Sequence, residues 1–175
     1  MDIQLRPCVA DDAAALALIG SATFLDTYSD VLPGAHIIAH CQKAHSQAQY
    51  SAWLADETFQ IWLAELQPGG APVGFMVIGP PDLPCEVTEA DLEIKRIYLL
   101  SKFQGHGVGR RMVDAAVAYG ESRRTARLLL GVYTRNHPAI TFYQRSRFTI
   151  VGSRTFNVGG HHYDDHIMGR TLSRD

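Results

Sequence analysis

The stretch Gln104-Gly105-His106-Gly107-Val108-Gly109-Arg110 decides how this chain is interpreted. It follows an apolar, strand-like run at 92–100 and precedes a helical pattern of apolar residues that begins at Met112. A glycine-rich turn between a strand and a helix exposes several backbone N–H groups at the positive end of the helix dipole. Glycine permits the positive φ angles and the close approach of backbone to ligand that such a turn needs. The stretch therefore predicts an anion site suited to a phosphate or pyrophosphate.

The spacing of these glycines excludes two common nucleotide-binding motifs. A P-loop has Lys-Ser/Thr after its last glycine, whereas Arg110 and Arg111 follow Gly109 here. The dinucleotide fingerprint G-x-G-x-x-G fails as well, because the third glycine comes one position early. The pattern that fits is Q-x-x-G-x-G, from Gln104 to Gly109. For a glycine loop taken alone, a tight connection without a ligand is the alternative interpretation.

Hydrophobic periodicity predicts the remaining elements. Strands are predicted at 3–6, 58–66, 73–78, 92–100, 127–134, 148–157 and 162–171. Helices are predicted after Asp11 or Asp12, at 35–54 in one or two pieces, from the glycine stretch to 123, and at 138–145. The order β-α-α-β-β-β-α-β-α-β-β, without repeat or linker, predicts one α/β domain over residues 1–175.

Composition narrows the functional class. Hydrophobic residues make up 46% of the chain and charged residues 19%, which is typical of a soluble globular protein. A net charge of −2 gives no support for nucleic-acid binding. Three scattered cysteines predict neither a disulfide framework nor a structural zinc site. The longest apolar stretch, 13–19, is too short to span a bilayer, and no signal-peptide pattern precedes it. A cytoplasmic protein without a membrane partner is expected.

A second segment, Asn136-x-x-Ala139-x-x-x-Tyr143-x-x-x-x-Phe148, follows the strand predicted at 127–134. Together with the run RIYLLSKFQGHGVGR at 96–110, it resembles the GNAT superfamily of N-acetyltransferases over roughly residues 91–172. One position departs from that pattern. Arg147 stands where the superfamily usually has a glycine, which serves a left-handed helix cap.

Finer features place the chain near one subfamily. The stretch Glu93-x-x-Arg96-Ile97-Tyr98, the sequence FLDTY at 24–28 and the tail at 156–168 are similar to bacterial spermidine/spermine acetyltransferases of the Pai type. These features are less specific than the glycine loop.

The resemblance implies a GNAT fold, which is α/β with a mixed, mostly antiparallel twisted sheet and helices on both faces. It implies acetyl-CoA as the cosubstrate and direct attack of a primary amine on its thioester. The residues assigned to acetyl-CoA are Ile97, Tyr98, Leu99, Gln104, Gly105, His106, Gly107, Val108, Gly109, Arg110, Asn136 and Tyr143. The Leu99 N–H would polarise the thioester oxygen, and Tyr143 would be the general acid. Glu93 is the candidate for the general base, directly or through water.

Each of these roles has a structural alternative. Tyr143 lies among apolar helical residues, where a tyrosine often serves packing. Asn136 precedes Pro138 and is placed to cap the helix that follows. Glu93 is close in sequence to Lys95 and Arg96 and could serve only as their ionic partner.

Two further groups of residues could have a functional or a purely structural role. His162, Asp164 and His166 would share one face of a strand and could ligate a divalent ion. Because acetyl transfer needs no metal, a polar exposed hairpin face is the preferred interpretation, and no metal is predicted. Three aromatic residues could line an acceptor pocket, although core packing is preferred: Trp53, Phe59 and Trp62.

The acceptor is the least determined part. A small primary amine is expected, with polyamines first. Four acidic residues could meet a polycation or simply face water: Asp26, Asp30, Asp56 and Glu57. A protein N-terminus or lysine as acceptor, and a non-catalytic acyl-CoA sensor, stay open as alternatives. Dimers are common in the resembled superfamily, which makes a homodimer one expected state.

Overall fold

A computed structural model describes residues 2–158 and 161–172 of this chain. The strands are β1 (Ile3–Pro7), β2 (Gln60–Leu66), β3 (Ala71–Gly79), β4 (Asp91–Leu99), β5 (Arg127–Tyr133), β6 (Thr149–Val158) and β7 (His161–Thr171). The α-helices are α1 (Ala13–Tyr28), α2 (Gly34–Ala44), α3 (Gln47–Ala55), α4 (Val108–Ser122) and α5 (His137–Arg145). The predicted order is confirmed, and the helical region at 35–54 forms the two helices α2 and α3. The predicted Gly159-Gly160 turn lies outside the described residues.

The seven strands are hydrogen-bonded neighbours in the order β1-β2-β3-β4-β5-β7-β6. The pairs β1–β2, β5–β7 and β6–β7 are antiparallel, whereas β4 and β5 run in parallel. The parallel pairing covers the first three residues of each strand, from Asp91–Arg127 to Glu93–Leu129. This is the mixed, mostly antiparallel sheet that was predicted.

Two compact units, each built from discontinuous segments, make up the chain. The first unit contains the residues up to Val77 together with Arg96–Met112, and the second contains Ile78–Lys95 and the residues from Val113 onward. The prediction of a single domain over 1–175 stays a prediction.

Helices cover both faces of the strands in the first unit. On one face, α1 and α3 pack against β2 and β3 around a core that includes Leu16, Ile19, Tyr50, Leu63 and Phe75. On the other face, a Cβ built on Gly74 would lie 2.8 Å from Leu99 Cδ1 and 3.1 Å from Met112 Cε. Because so short an approach leaves no room for a side chain, glycine at 74 lets the start of α4 pack directly on the sheet.

Two arginines bind carboxylates through the same edge of the guanidinium group. Arg6 on β1 uses Nε and Nη2 to bind Glu65 on β2, at 2.9 and 2.7 Å. Arg127 on β5 uses Nε and Nη2 to bind Asp91 on β4, at 3.1 and 2.6 Å. The Arg127 guanidinium holds the pKa of Asp91 below its usual value. Asp12 stands at the N-cap position of α1, but its carboxylate accepts from Arg6 and from the Val9 N–H instead of capping that helix.

Two helices end in Schellman motifs that have arginine at the left-handed position. After α5, the Phe148 N–H donates to the Tyr143 carbonyl and the Arg147 N–H to the Gln144 carbonyl. After α4, Thr125 and Arg124 repeat these bonds to Gly120 and Glu121. The φ angles are 66° at Arg147 and 56° at Arg124, a region that costs a residue with a Cβ about 1 kcal/mol. Arg147 therefore keeps the cap that glycine usually forms, with some strain.

We expect Arg147→Gly to raise the free energy of unfolding by about 1 kcal/mol, or the melting temperature by about 3 °C. The reason is that glycine adopts the observed φ without a steric penalty. Thermal or urea unfolding measures the change. Arg145→Gly, at the last residue of α5, is the matched control and should be destabilising, by up to about 1 kcal/mol. A melting temperature for Arg147→Gly equal to or below that of the parent would show that the backbone at Arg147 is not strained.

Candidate functional site

The glycine loop has the backbone conformation that the sequence predicts. The φ angle is 76° at Gly105 and 79° at Gly107, so both residues adopt a conformation that favours glycine. A Cβ at either position would have none of the other described residues within 4 Å. The two glycines are thus required by backbone geometry rather than by packing, and the space beside them is open to a ligand.

The first turn of α4 follows the loop directly. Val108 begins the helix and is buried, Gly109 and Arg110 continue it, and the Arg111 N–H donates to the Gly107 carbonyl at 3.1 Å. The first N–H groups of an α-helix have no partner within the helix and carry partial positive charge. This geometry fits a pyrophosphate, whose oxygens accept hydrogen bonds from such groups.

Short-range bonds fix the loop to the end of β4. The Gln104 side chain donates to the Leu99 carbonyl at 3.1 Å. The Nδ1 of His106 lies 2.8 Å from the Gln104 carbonyl oxygen, and since a carbonyl only accepts, Nδ1 carries the proton. The Arg111 guanidinium donates to the Ile3 carbonyl on β1, so it anchors α4 rather than standing in solvent as an isolated charge.

An acidic residue of α1 holds the turn that precedes the loop. The Asp26 carboxylate accepts from the Ser101 N–H at 2.7 Å and from the Ser101 hydroxyl at 3.1 Å. Asp56, another of the acidic residues considered for a polycation, accepts from the N–H and hydroxyl of Thr58 at 2.9 and 2.6 Å. Both carboxylates therefore have structural partners, Asp26 across 75 residues of sequence and Asp56 across two.

The end of β4 directs alternate N–H groups to opposite sides. The Leu100 N–H donates to the Val73 carbonyl on β3 at 3.0 Å. Because successive residues of a strand point their backbone groups in opposite directions, the N–H groups of Ile97 and Leu99 face away from β3. The Tyr98 ring stacks on Phe75, with ring centroids 5.9 Å apart. The direction inferred for the Leu99 N–H is thus the side of β4 opposite β3, and its role toward a thioester stays a prediction.

Asn136 caps α5. Its side-chain oxygen accepts from the Ala139 N–H at 3.2 Å, and its carbonyl accepts from the Ile140 N–H at 3.0 Å. The predicted cap is confirmed. A contact of Asn136 with acetyl-CoA stays a prediction.

Tyr143 is buried on α5, with 8% of its surface exposed. Its ring packs edge-on against Phe142 and Phe148, at centroid distances of 5.2 and 5.9 Å. Packing and an acid role are compatible, because the ring is held by aromatic neighbours while the hydroxyl is the group that would act.

Glu93 forms an ion pair. Its carboxylate accepts from Lys95 Nζ at 2.9 Å and from the Asp82 N–H at 2.8 Å, and the residue is buried. The predicted site residues are thus divided between the two units. Ile97 to Leu99 and the glycine loop lie in the first unit, whereas Glu93, Asn136 and Tyr143 lie in the second.

A family model decides the classification. The model described as "Acetyltransferase (GNAT) family" matches residues 23–148, which is most of the chain and includes both motifs. The chain belongs to the GNAT acetyltransferase family. It is an N-acetyltransferase, and GNAT acetyltransferases use acetyl-CoA.

The relatives of this GNAT protein differ in how much of its length they match. An uncharacterized N-acetyltransferase of Mycobacterium tuberculosis (strain ATCC 25618 / H37Rv) is 29% identical over 92% of the chain and 98% of that protein. The spermine/spermidine N(1)-acetyltransferase of Bacillus subtilis (strain 168) is 29% identical over 49% of the chain and 57% of that enzyme. The structure of PaiA N-acetyltransferase from Thermoplasma acidophilum in complex with coenzyme A has a TM-score of 0.76 and 15% identity, covering 98% of the chain and all of that protein.

The closing hairpin of this GNAT chain has an internal ion pair. On β7, Asp165 is buried and binds Arg154 of β6 at 3.1 Å, while His162 and Asp164 are exposed. Burial raises the pKa of Asp165 above its ordinary value. Among residues 2–158 and 161–172, no three His, Cys, Asp or Glu side chains are grouped as metal ligands. None of the helices in the described part of the chain is long and apolar enough to cross a membrane.

Proposed function

We propose that this GNAT enzyme transfers the acetyl group of acetyl-CoA to a primary amine by direct attack. The observation that carries the proposal is the glycine loop, whose two positive φ angles expose the N–H groups at the start of α4. Acetyl-CoA supplies an acetyl group that is activated as a thioester. The N–H groups from Gly105 to Arg110 hold its pyrophosphate, and Asn136 binds its amide arm.

Residues of β4 and α5 carry out the chemistry in this proposal. The Leu99 N–H donates to the thioester oxygen while negative charge develops there, a contribution of about 3 kcal/mol for a preorganised donor. The amine nitrogen forms a bond to the carbonyl carbon, and the carbon–sulfur bond breaks. The Tyr143 hydroxyl gives its proton to the departing sulfur. An amine with its usual pKa is mostly protonated at neutral pH, so it must lose a proton before it attacks.

Glu93 is the proposed acceptor of that proton, through water. Lys95 Nζ donates to the Oε2 oxygen of this carboxylate, so a relaying water must compete with that bond. Since a water relay is replaceable, we expect Glu93→Gln to lower kcat/KM at pH 7 by about tenfold. Raising the pH should recover most of that loss, because more of the amine is then neutral. A loss that stays constant between pH 7 and 9, measured at equal thermal stability, would remove Glu93 from the proposal.

Polyamines are one candidate acceptor class. The similarity to the Bacillus subtilis spermine/spermidine enzyme over about half the chain supports them, together with the Pai-type features around 93–98. A protein N-terminus or lysine is the alternative acceptor. A sensor that binds acyl-CoA without turnover is the alternative function, and the Tyr143 hydroxyl is the group that such a sensor would not need.

Release of free thiol from acetyl-CoA tests the proposed function. The purified protein is assayed with spermidine, spermine, simple diamines, aminoglycosides, amino acids and short peptides, while acetyl-CoA binding is measured in parallel. Turnover with one or more small amines is the expected result. Tight binding of acetyl-CoA without turnover of any acceptor would favour the sensor, and turnover of peptides alone would favour a protein substrate.

A further inference from the structure

Arg96 on β4 lies in a polar cluster that the mechanism does not use. Its Nη1 donates to the Tyr50 hydroxyl at 2.8 Å. Its guanidinium carbon lies 4.6 Å from the centre of the Trp53 ring and 5.3 Å from that of Tyr50. The guanidinium therefore rests against two aromatic rings of α3 and is held in one orientation.

The neighbours of Arg96 in this cluster are neutral. His45 Nδ1 lies 2.8 Å from the Tyr50 hydroxyl and 3.4 Å from Arg96 Nη1. A guanidinium N–H can only donate, so Nδ1 is an acceptor, and the Tyr50 hydroxyl donates to it. Burial, together with the Arg96 charge, lowers the pKa of His45 to about 3, so its ring is uncharged at neutral pH. His45 and Tyr50 are 3% and 0% exposed, which makes this a built arrangement and not a surface contact.

One edge of the Arg96 guanidinium, formed by Nε and Nη2, binds no carboxylate among the described residues. Arg6 and Arg127 each bind one carboxylate through Nε and Nη2, and Arg6 binds a second, Asp12, through Nη1 and Nη2. For Arg96, the hydrogen bonds to other described residues all come from Nη1, and no carboxylate among them forms a salt bridge with it. A half-buried positive charge without a counter-ion is costly, and a bound anion would offset that cost.

The location of Arg96 connects this edge to the acceptor. Arg96 precedes Leu99 by three residues on β4, which is about 10 Å along a strand. We propose that Nε and Nη2 of Arg96 bind a carboxylate of the acceptor, so that the substrate is an amine that also carries an acid group, such as an amino acid. This inference rests on the proposed function and narrows its acceptor away from polyamines, whose charges Arg96 would repel.

Matched pairs of acceptors that differ by one carboxylate test the inference: lysine with cadaverine, ornithine with putrescine, and 4-aminobutyrate with propylamine. We expect kcat/KM to be at least tenfold higher for the carboxylated member of at least one pair. Arg96→Gln should raise the KM for that member about tenfold or more, with little change in its kcat and no loss of kcat/KM for the plain amine. Arg96→Lys, which keeps the charge but lacks the planar fork, should recover part of the preference.

Several outcomes would overturn the inference. Turnover of plain amines or polyamines without a preference for carboxylates would do so while leaving the proposed function intact. An equal loss with both members of a pair in Arg96→Gln would show a structural role for Arg96. A preference for 3-aminopropylphosphonate over 4-aminobutyrate would assign the edge to a phosphate-type anion instead. If Arg96→Gln fails to fold, Arg96→Lys carries the test. An unchanged preference for the carboxylated acceptor in Arg96→Lys would contradict binding of the carboxylate by Nε and Nη2. Turnover of no acceptor would overturn the inference and the proposed function together.

Discussion

Replacing Tyr143 with phenylalanine is expected to lower kcat by about two to three orders of magnitude. The substitution removes only the hydroxyl, and without it the departing thiolate must take its proton from water. Because the ring remains packed between Phe142 and Phe148, the fold and the dissociation constant for acetyl-CoA should be nearly unchanged. Steady-state kinetics and calorimetric titration with acetyl-CoA separate these two effects.

Tyr163→Phe is the matched control, since it also removes one tyrosine hydroxyl and leaves a ring that contacts Tyr133 at 5.8 Å between centroids. Its kcat should equal that of the parent. If Tyr143→Phe turned over substrate as fast as the parent, Tyr143 would be a packing residue and the proton would come from elsewhere.

Replacing Gly107 with valine should weaken acetyl-CoA binding between about tenfold and a hundredfold. A β-branched residue at φ 79° costs about 1–2 kcal/mol, so the loop would relax to another conformation. Its N–H groups would then point away from the pyrophosphate, and each charge-assisted hydrogen bond lost costs about 1.5–3 kcal/mol. The dissociation constant for coenzyme A is the quantity to measure.

Two hairpin glycines provide controls for this substitution. Gly70 also has a positive φ, 66°, with open space around it, whereas Gly69 has open space and no positive φ. Gly70→Val should lower stability as Gly107→Val does but leave coenzyme A affinity unchanged, and Gly69→Val should affect neither strongly. Equal affinities for coenzyme A in the parent and in Gly107→Val would contradict the assignment of this loop to the pyrophosphate.

Local signals explain which parts of the site the sequence predicts. Glycines at 105 and 107 between a strand and a helix predict a turn with positive φ angles, and both residues have them. Asn136 before Pro138 is a local capping signal, and it caps α5 as expected. The left-handed conformation at Arg147 agrees with the resemblance, in which a glycine usually stands at this position.

Long-range contacts explain what the sequence does not predict. Arg96 meets Tyr50 and His45 across 46 and 51 residues, and no periodicity links those positions. The sequence does not show why glycine is needed at 74, because the reason is the packing of α4 beside it. The partners of Asp26 and Glu93, Ser101 and the Asp82 N–H, depend on how loops are placed. Side-chain chemistry alone offered a base or an ionic partner at Glu93, and a polycation site or a water-facing carboxylate at Asp26.

The two strained arginines have a practical consequence for dissecting this enzyme. Arg124 and Arg147 follow different helices, and neither is among the residues proposed to act on acetyl-CoA. Substituting both with glycine should raise the free energy of unfolding by about 2 kcal/mol, because each substitution relieves a strain of about 1 kcal/mol. With this additional stability, the chain should remain folded when Gly107 or Arg96 is replaced by a destabilising residue. A loss of activity measured in this stabilised chain can then be attributed to the active centre, because the variant remains folded.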